Sequence, residues 1–455
     1  MKNISIWKDS IDLKEYPKLN ENKNVDVLII GGGITGISTF YYLKKSGLKT
    51  ILVEQNKIGL GITGSSTGKL SILQNDLIDK IRSSFNDETA LKYINSQIDA
   101  INKIVKLILD LKIDCDLEKI PASLYTNNEF EIDRIKNLAA FLLKNNIRVE
   151  PSNLKIVKNK FAIKDDVSYV FNPLKFLNGI LSKDDYEIYE KTSIIKIKRE
   201  KNFYISYTDN YKIKSKFVVI ASHYPYFLIP YFFPFKSALE KSYLSASTYN
   251  GQKLSLINYQ KPFISIRTYK NYLIYLSNSH NISCKTCDYN HFQELLKKLE
   301  DIKLKPDYLW SNIDIITNDG MPYVGEIKKN LLIGTGYNTW GLTNGFLAGE
   351  ILKDIILKNN NPYISLFAPK RFNLAQLKGY IGNICKNALG FLVGLKGKNN
   401  HYCSHMNCKL IFNKIEKTWD CPCHGSRFDI NNNPISGPAN KKSKWFAWIN
   451  FYWSK

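Results

Sequence analysis

Two stretches of this 455-residue chain hold residues whose types and spacing suit redox chemistry. Near the C-terminal end, Cys403-x-His405 and Cys421-x-x-His424 are separated by fifteen residues. Each pair offers one thiolate and one imidazole from a short loop. That donor set suits a [2Fe–2S] cluster with two Cys on one iron and two His on the other. Cys408 and Cys423 sit one per loop, where a bridge could pin the loops together. Gly425 permits a tight turn, and Ser426 can donate a hydrogen bond to a sulfur. Structural zinc is the competing reading, since two Cys and two His are also a zinc set. Zinc fingers, however, usually order a Cys pair before a His pair, and here the order is Cys-His twice with an extra Cys in each loop. His401 lies two residues before Cys403, but the spacing favours Cys403 and His405 as ligands.

The second stretch is Val25–Glu54, VDVLIIGGGITGISTFYYLKKSGLKTILVE. The apolar run Val25–Ile30 reads as a buried parallel strand, Ile34–Ser46 as a helix, and Lys49–Val53 as a second strand. Between the first strand and the helix stand Gly31, Gly33 and Gly36, a G-x-G-x-x-G. Gly31 permits the tight turn, Gly33 lets backbone approach a pyrophosphate, and Gly36 lets the helix pack on the sheet. Glu54 ends the second strand where an acid bonds a ribose hydroxyl. The motif alone is a weak signal; strand, helix, strand and acid in this order make it a strong one.

Other candidates are less specific. Gly59–Ser71 is a loop of small and hydroxylated residues with Lys69, able to lie against a cofactor or to be a plain surface loop. His223 follows an apolar run and reads as a hydrogen-bonded structural residue. Arg267, on an expected strand, either holds a substrate carboxylate or makes an ordinary ion pair. Cys284-x-x-Cys287 has no partner pair nearby and reads as two thiols. His280 has no evident role. His223, His280, His291 and His401 are too scattered to supply the two-His-one-carboxylate iron site of a ring-hydroxylating oxygenase, so that class is excluded.

The elements that must position these residues are readable in outline. Met1–Asn24 looks like a lead-in segment. Leu91, Ile94, Ile98, Ile101, Val105 and Ile108 recur at spacings of three and four, the apolar face of a long helix capped by Asn86 or Asp87. Asp133–Asn145, Phe292–Leu299, Thr343–Leu357 and parts of Lys370–Lys396 carry further helical patterns. Ser193–Lys198, Phe203–Tyr207, Phe217–Ala221 and Asn330–Gly336 read as strands. A redox cofactor bound at the start of the helix near Thr343 would meet its positive end, which would stabilise a reduced anion.

Composition narrows the class. Hydrophobic residues are 44% of the chain, enough for a sizeable core. The formal charge is +23, from 64 Lys and Arg against 41 Asp and Glu, but only seven of the 64 are Arg. Nucleic-acid readers lean on the Arg fork, so the charge reads as a solvated Lys-rich surface and nucleic acid is not an expected partner. Phe227–Phe235, the most apolar central window, is too short to span a bilayer and contains Pro230 and Pro234. No signal peptide is visible and no transmembrane segment is expected, which places the protein in the cytoplasm.

The tail from about Lys398 to Lys455 resembles a Rieske domain, down to CPCHGS at Cys421–Ser426 and the later Gly437-Pro438-Ala439. The resemblance implies Cys403, His405, Cys421 and His424 as cluster ligands, and a Cys408–Cys423 disulfide as in some members. Respiratory Rieske proteins usually have a Tyr two residues after the Ser, bonded to a ligand sulfur; here that place holds Phe428. The first 370 residues resemble the D-amino-acid oxidase and glycine oxidase group of flavoproteins. The resemblance rests on GGGITG at Gly31–Gly36, TGSSTGK at Thr63–Lys69, NPLKFLNG at Asn172–Gly179 and ASHYP at Ala221–Pro225. DGMPYVG at Asp319–Gly325, GTGYNTWGLTNG at Gly334–Gly345 and LFAPKRF at Leu366–Phe372 also fit. Phe40 departs from the Ala often found four residues after the third Gly. As a whole the chain is similar to bacterial FAD-dependent oxidoreductases with a C-terminal Rieske domain.

That resemblance implies FAD, held by Gly31, Gly33, Ile34, Thr35, Gly36 and Glu54, by Thr63, Gly64, Ser65, Ser66 and Lys69, and by Gly336, Asn338, Gly341 and Thr343. The expected fold is mixed α/β (α+β): a Rossmann-like FAD-binding unit (about 20–80, 150–225 and 312–370) and a β-rich substrate domain (about 81–149 and 226–311). A helical linker (371–397) and a small all-β Rieske domain (398–455) follow. The implied function is oxidation of a small molecule, an amine or amino acid, by hydride transfer to FAD, with electrons exchanged with the cluster. A redox partner protein or O2 would be the acceptor. No residue declares itself as a general base, with His223 and Arg267 the weak catalytic candidates. The alternative is an electron-transfer protein in which FAD and cluster relay electrons between partners with no small substrate.

Overall fold

In the computed structural model, Val27, Leu28 and Ile29 have no exposed surface, as a parallel strand covered on both faces requires. They belong to the strand Lys23–Ile30. The structure describes residues 1–224, 236–283, 288–371, 376–396 and 400–445. The window Phe227–Phe235 and the pair Cys284 and Cys287 lie outside the described residues. Strand Lys23–Ile30 pairs in parallel with Thr50–Val53 on one side and with Lys212–Ile220 on the other. Lys212–Ile220 pairs in parallel with Leu331–Thr335. In register, Ile30 stands opposite both Val53 and Ile220, and Ile220 opposite Ile333. Gly31, Glu54, Ala221 and Gly334 therefore emerge along one edge, the carboxyl edge at which open α/β sheets bind ligands.

Helices Ile34–Lys44 and Gly341–Leu357 lie together over this sheet and touch closely. A Cβ on Gly349 would come 2.1 Å from Ser38 Oγ, so glycine there is what allows the contact. The bulky Phe40 is accommodated: it is buried and meets Tyr186 edge to face at 5.0 Å. The long helix is Asp87–Asp110, and the Asn86 side chain accepts from Thr89 N as its cap. It packs on Gly341–Leu357, where Gln97 Nε2 donates to Asn344 Oδ1 at 2.9 Å.

The second layer is an eight-stranded sheet. Its strand Ser237–Thr248 runs antiparallel to Tyr272–Asn281 and to Tyr308–Thr317. The sheet continues through Ser265–Tyr269, Ser255–Asn258, Ala122–Thr126, Phe161–Asp165 and Val149–Pro151. The segments near 149–165 and 308–317 thus pair here, whereas the sequence reading put 150–225 and 312–370 with the nucleotide sheet. The Asp87–Asp110 helix shares one core with the nucleotide layer, and that core also takes in Leu124, Val149, Ile163 and Ile257 of the second sheet. Short β runs carry a period but no label for the sheet they join, which is why the two assignments differ.

The N-terminal segment is more than a lead-in. Ser5 caps the short helix Ile6–Asp9, and fully buried Trp7 donates from Nε1 to Ser66 O at 2.6 Å. At the other end, Leu377–Lys396 is a helix that leads to a small β domain. Its four-stranded antiparallel sheet is Ile411–Asn413, Thr418–Asp420, Arg427–Phe428 and Pro434–Ser436, and His401–Tyr402 pairs with Lys444–Trp445. No helix among the described residues is long and apolar enough to cross a membrane.

The small domain docks on both layers. Buried Lys241 bonds Asp288 Oδ2 at 2.7 Å and Asp420 Oδ2 at 2.6 Å. Glu416 accepts from Ser311 N at 3.0 Å and pairs with Arg427 at 2.7 Å. On the nucleotide side, Asn56 Nδ2 donates to Ile435 O at 3.0 Å and Gln55 Nε2 to Ala439 O at 3.2 Å.

Candidate redox site

One large cavity runs from the Gly-rich turn to the face of the second sheet. At the turn its wall is Gly31 to Thr35, with Glu54, Thr63, Ser65, Ser66 and Lys69 beside them. Gly31 has φ +113°, and a Cβ there would meet Ala221 O at 2.6 Å, so only glycine suits the turn. A Cβ on Gly36 would sit 1.9 Å from Gly31 O: this residue closes the turn onto the helix and does not line the cavity. A Cβ on Gly33 would meet nothing closer than Thr63 Oγ1 at 3.2 Å, so this glycine faces open space beside the helix N-terminus. Burial raises the Glu54 carboxyl, opposed by the amides of Asn56 and Gly32, which donate to it at 2.8 Å.

The N-terminus of Gly341–Leu357 meets the same cavity through Thr339, Trp340, Gly341 and Leu342. Its N-cap, Trp340, supplies no side-chain cap. The Trp340 indole N–H is also buried with no acceptor among the described residues. Uncapped helix amides, an orphaned donor and a Gly-lined cradle together fit an elongated dinucleotide whose anionic parts rest on helix N-termini. Not every expected residue lines this wall. Gly64 lies behind it, donating its N–H to Gly59 O at 2.9 Å. Asn338 is consumed by a network: Oδ1 accepts from Thr317 N at 2.8 Å, and Nδ2 donates to Gly320 O at 2.9 Å and Gly336 O at 3.1 Å. Thr343 donates to Gln97 Oε1 at 2.7 Å. A Cβ on Gly336 would meet Thr317 Cγ2 at 2.7 Å. Gly336, Asn338 and Thr343 shape the loop and helix from behind.

Lys69 reaches the cavity with its Nζ donating to Leu256 O at 2.7 Å. Burial, with the Arg267 guanidinium second, lowers it to about 7. Arg267 itself stands behind the wall. Its Nη1 donates to the carbonyls of Gly68 and Phe171, and its guanidinium lies over Trp7 at 5.1 Å and Tyr269 at 5.6 Å. It ties the cofactor loop to the second sheet and is not placed to hold a substrate carboxylate. His223 does line the cavity, at φ +61°. Its Nε2–H donates to Ile313 O at 3.0 Å, and burial lowers it to about 4, so the ring is neutral near pH 7.

In the small domain Cys403, Cys421, Cys408 and Cys423 are all buried, and Cys408 and Cys423 form a disulfide. That bond leaves Cys403 and Cys421 as the free thiols of the loops. A hydrogen bond from Cys421 pulls the Cys403 thiol down, the His405 amide adds to the effect, and the Ser426 hydroxyl bonds the same sulfur. The His405 and His424 rings lie 5.0 Å apart, edge to face. Burial, with His405 beside it, lowers His424 to about 4, and its buried Nδ1 has no partner among the described residues. Two buried free thiols, Cys403 favouring thiolate while Cys421 is pushed up by its bond to Cys403 and by burial, and two imidazoles held together, one of them neutral with an orphaned nitrogen, fit a two-iron cluster of the Cys2His2 type. His401 is elsewhere, bonded to Ser443 Oγ at 2.8 Å and packed on Trp419.

The two sites meet at Tyr224. Its ring stands 6.1 Å from that of His424, and the same residue lines the cavity next to His223. Ile435 to Pro438 of the small domain also wall the cavity, near Gln55 and Asn56. Tyr224 as the contact and the Ile435–Pro438 wall were not foreseen from the sequence; nor were Asn312 and Asp314, polar residues of the strand Tyr308–Thr317 that line the cavity. The one available signal was that Asn312 and Asp314 stand two apart, on one face of a strand whose other face there carries Ile313.

Comparison with known proteins agrees with this geometry. Residues 26–355 match the family described as FAD dependent oxidoreductase, and residues 399–447 match the Rieske [2Fe-2S] domain. The chain is 29% identical to the Rieske 2Fe-2S iron-sulfur protein YhfW of Bacillus subtilis (strain 168), across 96% of each chain. It is 23% identical to the gamma-glutamylputrescine oxidoreductase of Escherichia coli (strain K12), across 75% of this chain and 85% of that one. Glycine oxidase from Geobacillus kaustophilus shares the fold at a TM-score of 0.65 and 18% identity, over 77% of this chain and all of that one.

Proposed function

Because the chain belongs to the FAD-dependent oxidoreductase family, with a Rieske [2Fe–2S] domain appended, we propose that it oxidises a small amine or amino acid and passes the electrons to its own cluster. FAD supplies the hydride acceptor and the cluster a one-electron site. The chain's residues bind, orient and exclude water. Gly33, Ile34 and Thr35 would present a helix N-terminus to the pyrophosphate, and Glu54 would hold the ribose. Thr339 to Leu342 present a second helix N-terminus, which favours added negative charge on the cofactor. His223, neutral and anchored to Ile313 O, fixes the wall between cavity and cluster.

Relatives named for γ-glutamylputrescine and for glycine share oxidation beside a nitrogen, which supports an amine nitrogen at the reacting carbon. The observation that carries the electron-exchange reading is the contact of His424 with Tyr224, a residue of the cavity wall. The small domain is docked with His424 beside the cavity wall, and polar bonds on both layers hold it there, so a cluster held by His405 and His424 would have its histidine side toward the cavity.

The test is anaerobic mixing with substrate from an amine and amino-acid panel, following both absorption bands. Flavin should bleach first, and cluster reduction should follow at a rate independent of protein concentration. A cluster that stays oxidised beside reduced flavin, despite a favourable measured potential difference, refutes the exchange. Flavin that no small amine reduces, but a protein donor does, favours the electron-relay alternative.

A further inference from the structure

The strand Tyr308–Thr317 separates the two redox sites. One face carries Ile313, whose side chain lies 3.4 Å from where a Cβ on Gly425 of the cluster loop would stand. The other face turns Asn312 and Asp314 into the cavity. Asp314 receives a hydrogen bond from Asn312 Nδ2 at 3.2 Å. Among the described residues no cation pairs with it. The charged group that acts on it is another carboxylate, Glu240, opposite it in register. Glu240 is itself paired with Lys261. The Asn312 Oδ1 is buried and receives no hydrogen bond among the described residues. Ser242 stands opposite Asn312, with its hydroxyl 2.8 Å from that of Ser279.

A carboxyl on the cavity wall, and beside it a buried amide oxygen with no donor among the described residues, leave a demand for N–H groups. An ammonium brings three donors and no acceptor. A carboxylate at the same place would be repelled by Asp314 and would leave Asn312 Oδ1 unmet. Leu244, Leu276 and Phe263 on the same wall are suited to the alkyl part of such a molecule. We propose that Asp314 and Asn312 bind the cationic nitrogen of an alkylammonium substrate, making this end of the cavity selective for amines over free carboxylates. The inference rests on the reading of the cavity as the site of amine oxidation by FAD. Burial, with Glu240 adding, raises the Asp314 carboxyl to about 7, so a bound cation also favours its ionised form.

The test uses the flavin-loaded full chain and two ions of one shape and opposite charge. tert-Butylammonium has no hydrogen on the carbon beside nitrogen, so it cannot donate hydride; pivalate is its anionic counterpart. Titration of the oxidised flavin spectrum should show saturable binding of the cation and none of pivalate over the same range. Asp314→Asn should weaken cation binding about tenfold or more, the loss expected when a charged hydrogen-bond partner is neutralised. Asp314→Glu should restore most of it, and both should keep normal flavin content. The wild-type contrast between the two ions decides the matter even where a variant fails to fold. Pivalate binding as tightly as the cation, an unchanged affinity in Asp314→Asn, or no binding of either ion to flavin-replete protein overturns the proposal. Protein purified without FAD would instead overturn the reading beneath it, and this inference with it.

Discussion

The nucleotide cradle and the cluster site answer the same problem, holding a redox group, with different materials. The cradle is mostly backbone: glycines at a turn, two helix N-termini, and one carboxylate at a strand end. Its parts come from distant segments, from Gly31 to Leu342, brought to one edge by parallel pairing. The cluster site is four side chains from two loops within Cys403–His424, pinned by one disulfide. A backbone site depends on space, so it fails when a side chain is added. A side-chain site depends on donor atoms, so it fails when one is removed. Between them lies an interface of buried charge, which depends on neither space nor donors but on neutralisation.

The sharpest break is Cys421→Ser, which removes a ligand and should abolish the cluster while flavin content stays normal. Iron analysis and low-temperature EPR of the reduced protein read this; zinc without iron in intact wild type would refute the Rieske assignment. Gly33→Asp adds a carboxylate where the cradle is open and should lower flavin occupancy by about tenfold or more, because its charge would occupy the helix N-terminus meant for phosphate. The flavin released on denaturation measures it, and normal occupancy would place the cofactor elsewhere.

The interface should respond less. Lys241→Met leaves Asp288 and Asp420 buried without their shared cation, a loss of about 3–5 kcal/mol when one partner of a buried pair is removed. Thermal unfolding followed at the cluster band should show the small domain's transition at lower temperature. The sign with pH follows from Asp420. Burial pushes its carboxyl up, but Arg427 and Lys241 outweigh burial and hold it well below the usual carboxylate range. Its contribution is therefore complete above the ordinary carboxyl pKa of about 3.9 and is lost only as pH falls toward the lower folded value. Wild type should keep its docked domain at pH 4, and the variant should lose it at a higher pH than wild type does.

The smallest expected effect is on potential. Phe428 is fully buried among the cysteines and has no hydroxyl to offer a sulfur. Phe428→Tyr should raise the cluster midpoint by roughly 20–65 mV, the one-electron equivalent of a hydrogen bond contributing about 0.5–1.5 kcal/mol. An unchanged midpoint with the Tyr hydroxyl seen bonded to sulfur would end that account.

Spacing alone determined much of this protein. The Gly-rich turn with its flanking strands, the cap at Asn86, the apolar face of Asp87–Asp110 and the four cluster ligands are local patterns. Each depends on residues a few positions apart, where backbone geometry relates them directly. What the sequence could not settle is which distant segments share a wall. Trp7 under the cofactor loop, Asn338 turned inward to its own network, Arg267 behind the wall and the pairing of strands near 149–165 follow from packing. So do Tyr224 between His424 and the cavity, and Asp314 facing it beside Asn312. A strand's two-residue period says that alternate side chains share a face, but not what that face meets. Only the pairing of sheets and the docking of the small domain decided that one face of Tyr308–Thr317 looks to the cluster and the other to the cavity.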